Sequence, residues 1–190
     1  MWGDICMKIG IIGNGVHSKR IQKILKSKKL SFFIYKPASP KYYKKEDYIQ
    51  LLKCNVIFIL TPNNSHLKYI KELYKNRYIF CEKPPVNNKK DLFELQSIKS
   101  RKIYFNYNFR FTKLAELLRL RKKFNLGKLI YANIISSHAL AQKKIYKFNW
   151  RSNKKYSPMG VFEIVSIHYV DMINYLFNVL KINKPKLSNL

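Results

Sequence analysis

Cys81-Glu82-Lys83-Pro84 closes the apolar run that starts at Tyr78, placing an acid, a lysine and a proline directly after a predicted buried strand. In an open α/β sheet that position is the carboxyl edge, where ligands bind. A lysine held there by a rigid element can deliver a proton or polarise a hydroxyl. Taken alone, a Glu-Lys-Pro tripeptide in a lysine-rich chain is equally a solvated surface turn. Its meaning depends on two other segments, a glycine turn near the start and a strand that ends in Thr61-Pro62-Asn63.

Gly13-Asn14-Gly15-Val16-His17-Ser18 follows a β-branched run and opens an amphipathic stretch, the context that a dinucleotide-binding turn requires. Gly13 permits the tight turn, and Gly15 lets a pyrophosphate approach the N–H groups at the helix N-terminus. Asn14 and Val16 flank that approach. Ser18 takes the third position, normally Gly or Ala, and is small enough for close helix–strand packing. An acid is expected about 20 residues on, at the end of the second strand, to hold a ribose hydroxyl. Tyr35-Lys36-Pro37 stands there instead. A cation at that point suits a 2′-phosphate, which leans the cofactor reading towards NADP over NAD, although a solvated lysine fits the spot equally well.

The elements that must position these residues follow from periodicity. Strands are predicted at Lys8–Gly13, Leu30–Tyr35, Asn55–Thr61, Tyr78–Cys81 and Lys102–Tyr107. Helices are predicted over His17–Lys28, Glu46–Lys53, the segment of Leu67, Ile70, Leu73 and Tyr74, and Asp91–Ser100. Strands alternating with helices indicate βαβ units and a mainly parallel, doubly wound sheet. After Arg110 the texture changes. Leu114–Phe124 reads as a helix closed by Leu126-Gly127, Leu129–Ser137 as a longer strand opening a second α+β layer, and Val161–Phe177 as a final helix. The expected division is 1–110 and 111–190.

The chain has 190 residues, with 38 Lys+Arg against 10 Asp+Glu and a formal charge of +28. Such a charge points to nucleic acid or another anionic partner. The basic residues occur in nearly every segment, however, alongside abundant Ile, Asn, Tyr and Phe, as A/T-rich codons would produce. Nucleic acid would demand a one-sided basic face, so it ranks last. Cys6, Cys54 and Cys81 form no CxxC pair and no metal spacing, which fits a reduced, cytoplasmic setting and no metal site. Met1 to Lys8 is too short and polar for a signal peptide, and the apolar run Val56–Leu60 is far too short to span a bilayer.

Five segments occur in an order that resembles the Gfo/Idh/MocA family of NAD(P)-dependent oxidoreductases. They are the glycine turn, Thr61-Pro62-Asn63-Asn64-Ser65-His66, Cys81-Glu82-Lys83-Pro84, Asn108-Phe109-Arg110-Phe111 and Ile167-His168-Tyr169-Val170-Asp171. The resemblance runs from Lys8 to about Phe177 and implies a Rossmann-type domain that binds NAD or NADP. It implies that Thr61, Pro62 and Asn63 line the nucleotide with His66 beside it, and that Glu82 and Lys83 lie near the nicotinamide. Lys83 would assist proton transfer while hydride passes between the cofactor and a carbon of a sugar or sugar nucleotide. Arg110 and His168 would meet substrate. Family members carry an Asp four residues before the His, on the same helix face; here that residue is Ile164. Glu163, five before, would lie roughly 140° round a regular helix, which makes it only a helper to the acid/base His168. A nucleotide-binding module without catalysis is the competing expectation, because the family's second-domain sheet is longer than the segment after Arg110. The predicted second half would then be loosely ordered and self-associating.

Overall fold

The structure is a computed structural model that describes residues 7–37, 45–135, 144, 148, 150–160 and 162–178. Five parallel strands form one sheet in the order β2-β1-β3-β4-β5, with β1 Ile9–Ile12, β2 Phe32–Tyr35, β3 Val56–Ile59, β4 Tyr78–Cys81 and β5 Ile103–Phe105. All four residues of the central strand β1 are buried, as a strand covered on both faces must be. The intervening helices are α1 Val16–Ser27, α2 Lys45–Leu52, α3 His66–Leu73 and α4 Lys89–Ser97. Each lies within a few residues of its predicted span.

Helices cover both faces. Leu25 of α1 packs on Ile9 and Ile11, with Ile21, Val56 and Phe58 around them. On the opposite face Leu51, Tyr69, Ile70 and Leu73 from α2 and α3 close over Ile12, Ile57, Ile59 and Ile79. Burial of such side chains, at about 25 cal/mol per Å² of apolar surface, is what fixes the strand register.

That register places the site. Ile12 lies opposite Tyr35 and Ile59, Ile59 opposite Cys81, and Cys81 opposite Phe105. The next residue of each strand therefore falls in one row along the carboxyl edge: Lys36, Gly13, Leu60, Glu82 and Asn106. Main-chain bonds extend the ladder into this row, from Gly13 N to Tyr35 O at 2.9 Å, Glu82 N to Ile59 O at 3.0 Å and Asn106 N to Cys81 O at 2.9 Å. The strand order reverses between β1 and β3, and ligands of open α/β sheets bind at such a point.

After β5 a 3₁₀ turn, Asn108–Phe111, leads into α5, Lys113–Arg119, whose N-cap Thr112 accepts a hydrogen bond from Ala115 N. A π-helical turn, Phe162–Ser166, runs into α6, Ile167–Phe177. Ala115, Met172 and Leu176 form a separate apolar cluster with Phe109, Leu118 and Tyr169. Two expectations are corrected here. The helix predicted to Phe124 stops at Arg119 and continues as turns. The strand predicted over Leu129–Ser137 is absent from its described part: residues 126–135 are exposed and unpaired with any strand, Ile130 being 97% and Ile135 88% exposed. A strand requires a partner for its N–H and C=O groups, and no described segment supplies one. Ser136 and Ser137, like Cys6, lie outside the described residues. Cys54 and Cys81 are free and buried, and burial pushes both thiols up. No described helix is long and apolar enough to cross a membrane.

Candidate functional site

A cleft of about 980 Å³ opens along the carboxyl edge of the sheet. Its floor is the glycine turn. Gly13 has φ +101°, and a Cβ there would sit 2.6 Å from the Leu60 carbonyl oxygen, so only glycine fits. At Gly15 a Cβ would meet nothing within 4 Å, which leaves open space above the start of α1. The free N–H groups and positive dipole end of that helix face the space and favour an anion. Ser18 is fully buried and its hydroxyl donates to Gly13 O at 2.8 Å, tying the turn to the helix. These features fit a dinucleotide pyrophosphate.

Of the residues expected to bind the cofactor, Gly13, Asn14, Gly15, Val16, Lys36, Thr61, Pro62, Asn63, Glu82 and Lys83 all line this cleft. His66 does not. It is fully buried, with Nδ1 2.8 Å from Pro84 O and Nε2 2.9 Å from Thr61 O. Both ring nitrogens face carbonyl oxygens, and the ring spans the two loops that carry Asn63 and Lys83; burial lowers its pKa against the pull of those carbonyls. The expected contact with nucleotide is thus replaced by a brace behind it.

Glu82 accepts from His17 Nε2 at 2.7 Å and from Asn106 Nδ2 at 2.5 Å. Burial raises its pKa, but these bonds and the neighbouring Lys83 charge outweigh burial and hold the carboxyl below its usual range. His17 and Asn106 were not among the expected site residues. Their signal was positional: His17 stands inside the glycine turn, and Asn106 is the first residue after β5.

Lys83 reaches across the cleft and donates to the main-chain carbonyls of Glu163, at 3.3 Å, and Ile164. The Lys83–Pro84 peptide is cis. Burial lowers the Lys83 pKa, helped by the charge of Arg151 and opposed by Glu82 and Glu163. Two of three ammonium protons are thereby engaged, and one remains for a ligand.

Glu163 is 4% exposed and lines the cleft. Its carboxylate accepts from Asn63 Nδ2 at 3.3 Å and Met159 N at 2.9 Å. The predicted 140° offset from His168 assumed a regular α-helix. The π-helical turn over Phe162–Ser166 widens the coil, and residues five apart then stack as residues four apart do in an α-helix. Glu163 and His168 consequently face the same cleft. His168 stacks on Phe109 at 4.7 Å, and its Nδ1 is buried with no hydrogen-bond partner among the described residues. Burial, reinforced by the Lys83 charge, pulls its pKa down to about 4, so the ring is neutral at pH 7.

Arg110 departs from expectation. Its guanidinium grips Asp171 through Nε at 2.7 Å and a terminal nitrogen at 2.5 Å, and it packs over Tyr107 and Tyr175. It does not line the cleft. A bidentate ion pair of this kind occupies the fork that a substrate would need, so Arg110 fastens the 3₁₀ turn to α6. The far wall is instead made by Trp150, Arg151 and Tyr156.

No protein-family model and no curated protein matches the sequence. Solved structures do match in fold. The WlbA (WbpB) dehydrogenase from Thermus thermophilus, in complex with NAD and UDP-GlcNAcA, superposes with a TM-score of 0.66 at 18% identity, over 90% of this chain and 63% of that one. The WlbA dehydrogenase from Bordetella pertussis, in complex with NADH and UDP-GlcNAcA, gives 0.69 at 16% identity, over 90% and 59%. Scyllo-inositol dehydrogenase from Lactobacillus casei, with bound NAD(H) and scyllo-inositol, gives 0.58 at 18% identity, over 90% and 56%. The chain thus has the Rossmann-type fold of such dehydrogenases and spans less than two thirds of their length.

Proposed function

We propose that this chain binds a nicotinamide dinucleotide along the carboxyl edge of its sheet and takes part in hydride transfer to or from a carbon of a sugar or sugar nucleotide. One observation carries the reading: the register sets the glycine turn and Glu82 in one row with Lys83 directly after it, and the π turn brings Glu163 and His168 to face them. The dehydrogenases of like fold, solved with NAD or NADH and with UDP-GlcNAcA or scyllo-inositol, support the same chemistry here.

The dinucleotide, when bound, supplies or takes up the hydride. The chain's residues do the rest. Gly15 and the N-terminus of α1 hold the pyrophosphate; Thr61, Pro62 and Asn63 flank it. Lys83, whose pKa burial lowers, takes the hydroxyl proton in its neutral amine form when the carbon is oxidised, and as the ammonium it returns a proton when the carbonyl is reduced. His168, neutral beside it, serves as second acceptor. Glu163 holds Lys83 through its main-chain carbonyl and ties down Asn63 through its carboxylate. Residues 1–110 would form the dinucleotide unit and 111–190 would contribute to the substrate unit, whose exposed Ile130 and Ile135 would meet a second copy of the chain.

Lys36 and Arg20 line the same wall, and the β2 end carries no acid, so NADPH is expected to bind more tightly than NADH. A charge-assisted contact to the 2′-phosphate is worth about 1.5–3 kcal/mol, roughly tenfold or more. Titrating the chain with each cofactor while following nicotinamide fluorescence tests both points. No saturable binding sinks the function; equal affinities, or a preference that survives Lys36→Asp, sink the NADPH assignment.

A further inference from the structure

The two faces of the sheet are covered unequally. On one face α2 and α3, with Leu95 of α4, close over the strands. On the other, α1 packs over β1, with Val56 and Phe58 of β3 at its margin. Beyond Phe58 the rings of this second face reach solvent: Phe80 of β4 is 37% exposed and Tyr104 of β5 is 45% exposed.

Those rings form one row. The register sets Phe58 opposite Phe80 and Phe80 opposite Tyr104. Phe58 and Phe80 stack at 5.2 Å between centroids and 20° between planes, Phe80 and Tyr104 at 5.1 Å and 18°. These separations follow the spacing of the strands, about 4.8 Å. The row ends at Tyr104 because β5 is the last strand of the described sheet. Phe80 takes one face of the Tyr104 ring, and no described ring meets the other. One pleat nearer the amino edge Tyr78 is also exposed, with the Lys102 ammonium 5.2 Å from its ring centroid.

The sequence spreads its cations over nearly every segment, but the fold leaves one pole free of acids. The loops that enter β2 to β5, residues 28–31, 53–55, 74–77 and 98–102, each carry Lys or Arg and contain no Asp or Glu. Next to the ring row Lys99, Arg101 and Lys102 are exposed and have no ion-pair partner among the described residues. Glu46, Asp47 and Asp91 stand in first helical turns at the opposite, carboxyl edge, as does Glu82. Helix dipoles favour cations at an amino edge, yet they give no reason for bare stacked rings beside them. Aromatic faces that stack bases and cations that meet phosphates are together the components of single-strand binding.

We propose that this rim receives a single-stranded nucleic acid, with one base continuing the ring row on the outer face of Tyr104 and phosphates meeting Lys99, Arg101 and Lys102. A duplex, whose bases are already stacked inside, would meet only the cations. The inference is independent of the dinucleotide reading, because the basic loops lie at the other edge of the sheet.

Fluorescence anisotropy of the full chain tests it, with labelled oligothymidylate, oligouridylate and a duplex of equal length. Both single strands are expected to bind more tightly than the duplex. Their log K should fall against log salt with a slope of about −2, as three neutralised phosphates give. Y104L keeps an apolar side chain and removes the ring, so it should weaken the single strands roughly tenfold and leave the slope in place. K102Q should make the slope shallower by about 0.7. Both positions are exposed, and urea midpoints equal to the parent's confirm that the variants fold. Saturating NADPH should change none of these values. Absence of saturable binding by either single strand overturns the proposal. So does equal binding of strand and duplex that Y104L does not move, which is a charge effect alone. Displacement of the strand by NADPH would place it in the cleft, and a dimer in sedimentation that Y104L dissolves, without oligonucleotide binding, would give the face to a second copy of the chain; either result also overturns it. Strand binding by a chain that fails to bind NADPH would leave this inference standing and remove the cofactor assignment.

Discussion

Lys83 donates to the main-chain carbonyl of Ile164, the residue four before His168. Dehydrogenases of the family that the sequence resembles place an acidic side chain at that point. Here the side chain is apolar and the backbone does the holding. A carbonyl oxygen has two lone pairs, so those of Glu163 and Ile164 can accept from the lysine in addition to any main-chain donor of the π-helical turn over Phe162–Ser166.

Lys83→Met should keep cofactor affinity while lowering turnover of an identified sugar substrate by 10²–10⁴, the usual contribution of a general acid–base group. Glu163→Gln is the companion. It keeps an oxygen for the Met159 N–H and removes a negative charge that raises the Lys83 pKa. The rising limb of the kcat/KM profile should therefore move to lower pH. Full activity in Lys83→Met, or an unmoved limb in Glu163→Gln, would remove these two residues from the proton path.

The two turn glycines separate stability from binding. Gly13→Ala forces a Cβ to within 2.6 Å of the Leu60 carbonyl at φ +101°, so the folded chain should lose about 1–3 kcal/mol, read by urea unfolding. Gly15→Val meets nothing within 4 Å and should fold normally. Its side chain would occupy the pyrophosphate's place and abolish NAD(P)H binding. Unchanged affinity in folded Gly15→Val would move the dinucleotide away from this turn.

The sheet was legible because buried parallel strands read as short apolar runs bounded by Gly, Pro and Asn. The cleft was legible wherever a functional residue directly follows a strand, as Gly13, Lys36, Glu82 and Lys83 do. Three readings went astray where a distant partner decides. Arg110 is claimed by Asp171, 61 residues away, and nothing local announces that pairing. His66 is buried by loops that meet only in the folded sheet. Glu163 was ranked only as a helper to His168 on α-helical geometry, since a π turn leaves no periodic trace in a single sequence. Leu129–Ile135 is an apolar run broken only by Asn133, which reads as a strand, yet apolar composition supplies no hydrogen-bonding neighbour.

His66 gives a sharp choice between brace and ligand contact. His66→Ala strips buried carbonyls of Thr61 and Pro84 of their shared ring and opens a void, at a cost of about 2–5 kcal/mol. Denaturation should show that loss, with cofactor affinity reduced only because the Asn63 and Lys83 loops loosen. A variant of unaltered stability that no longer binds NAD(P)H would show that His66 touches the nucleotide after all.

His168 makes a claim about acid stability. Its folded pKa of about 4 lies below the roughly 6.5 of an unfolded histidine. Between those values the unfolded chain binds a proton that the folded chain refuses, so stability falls as pH drops from about 6.5 and this contribution levels off below about 4. His66, lowered by burial and held up by its two carbonyls, acts in the same direction. Glu82 acts differently: its lowered pKa gives stability that is present above the ordinary carboxylate pKa and lost only as pH falls below it. Urea midpoints at pH 7, 5.5 and 4.5, compared between the parent and His168→Gln, cancel the carboxylates common to both and isolate His168. The parent should weaken steadily across the series, and His168→Gln should weaken less, because it lacks the imidazole that the folded state keeps unprotonated. A parent whose midpoint is constant from pH 7 to 4.5 would mean that neither imidazole is held neutral by the fold, and His168 would then lose its standing as a proton acceptor at the cleft.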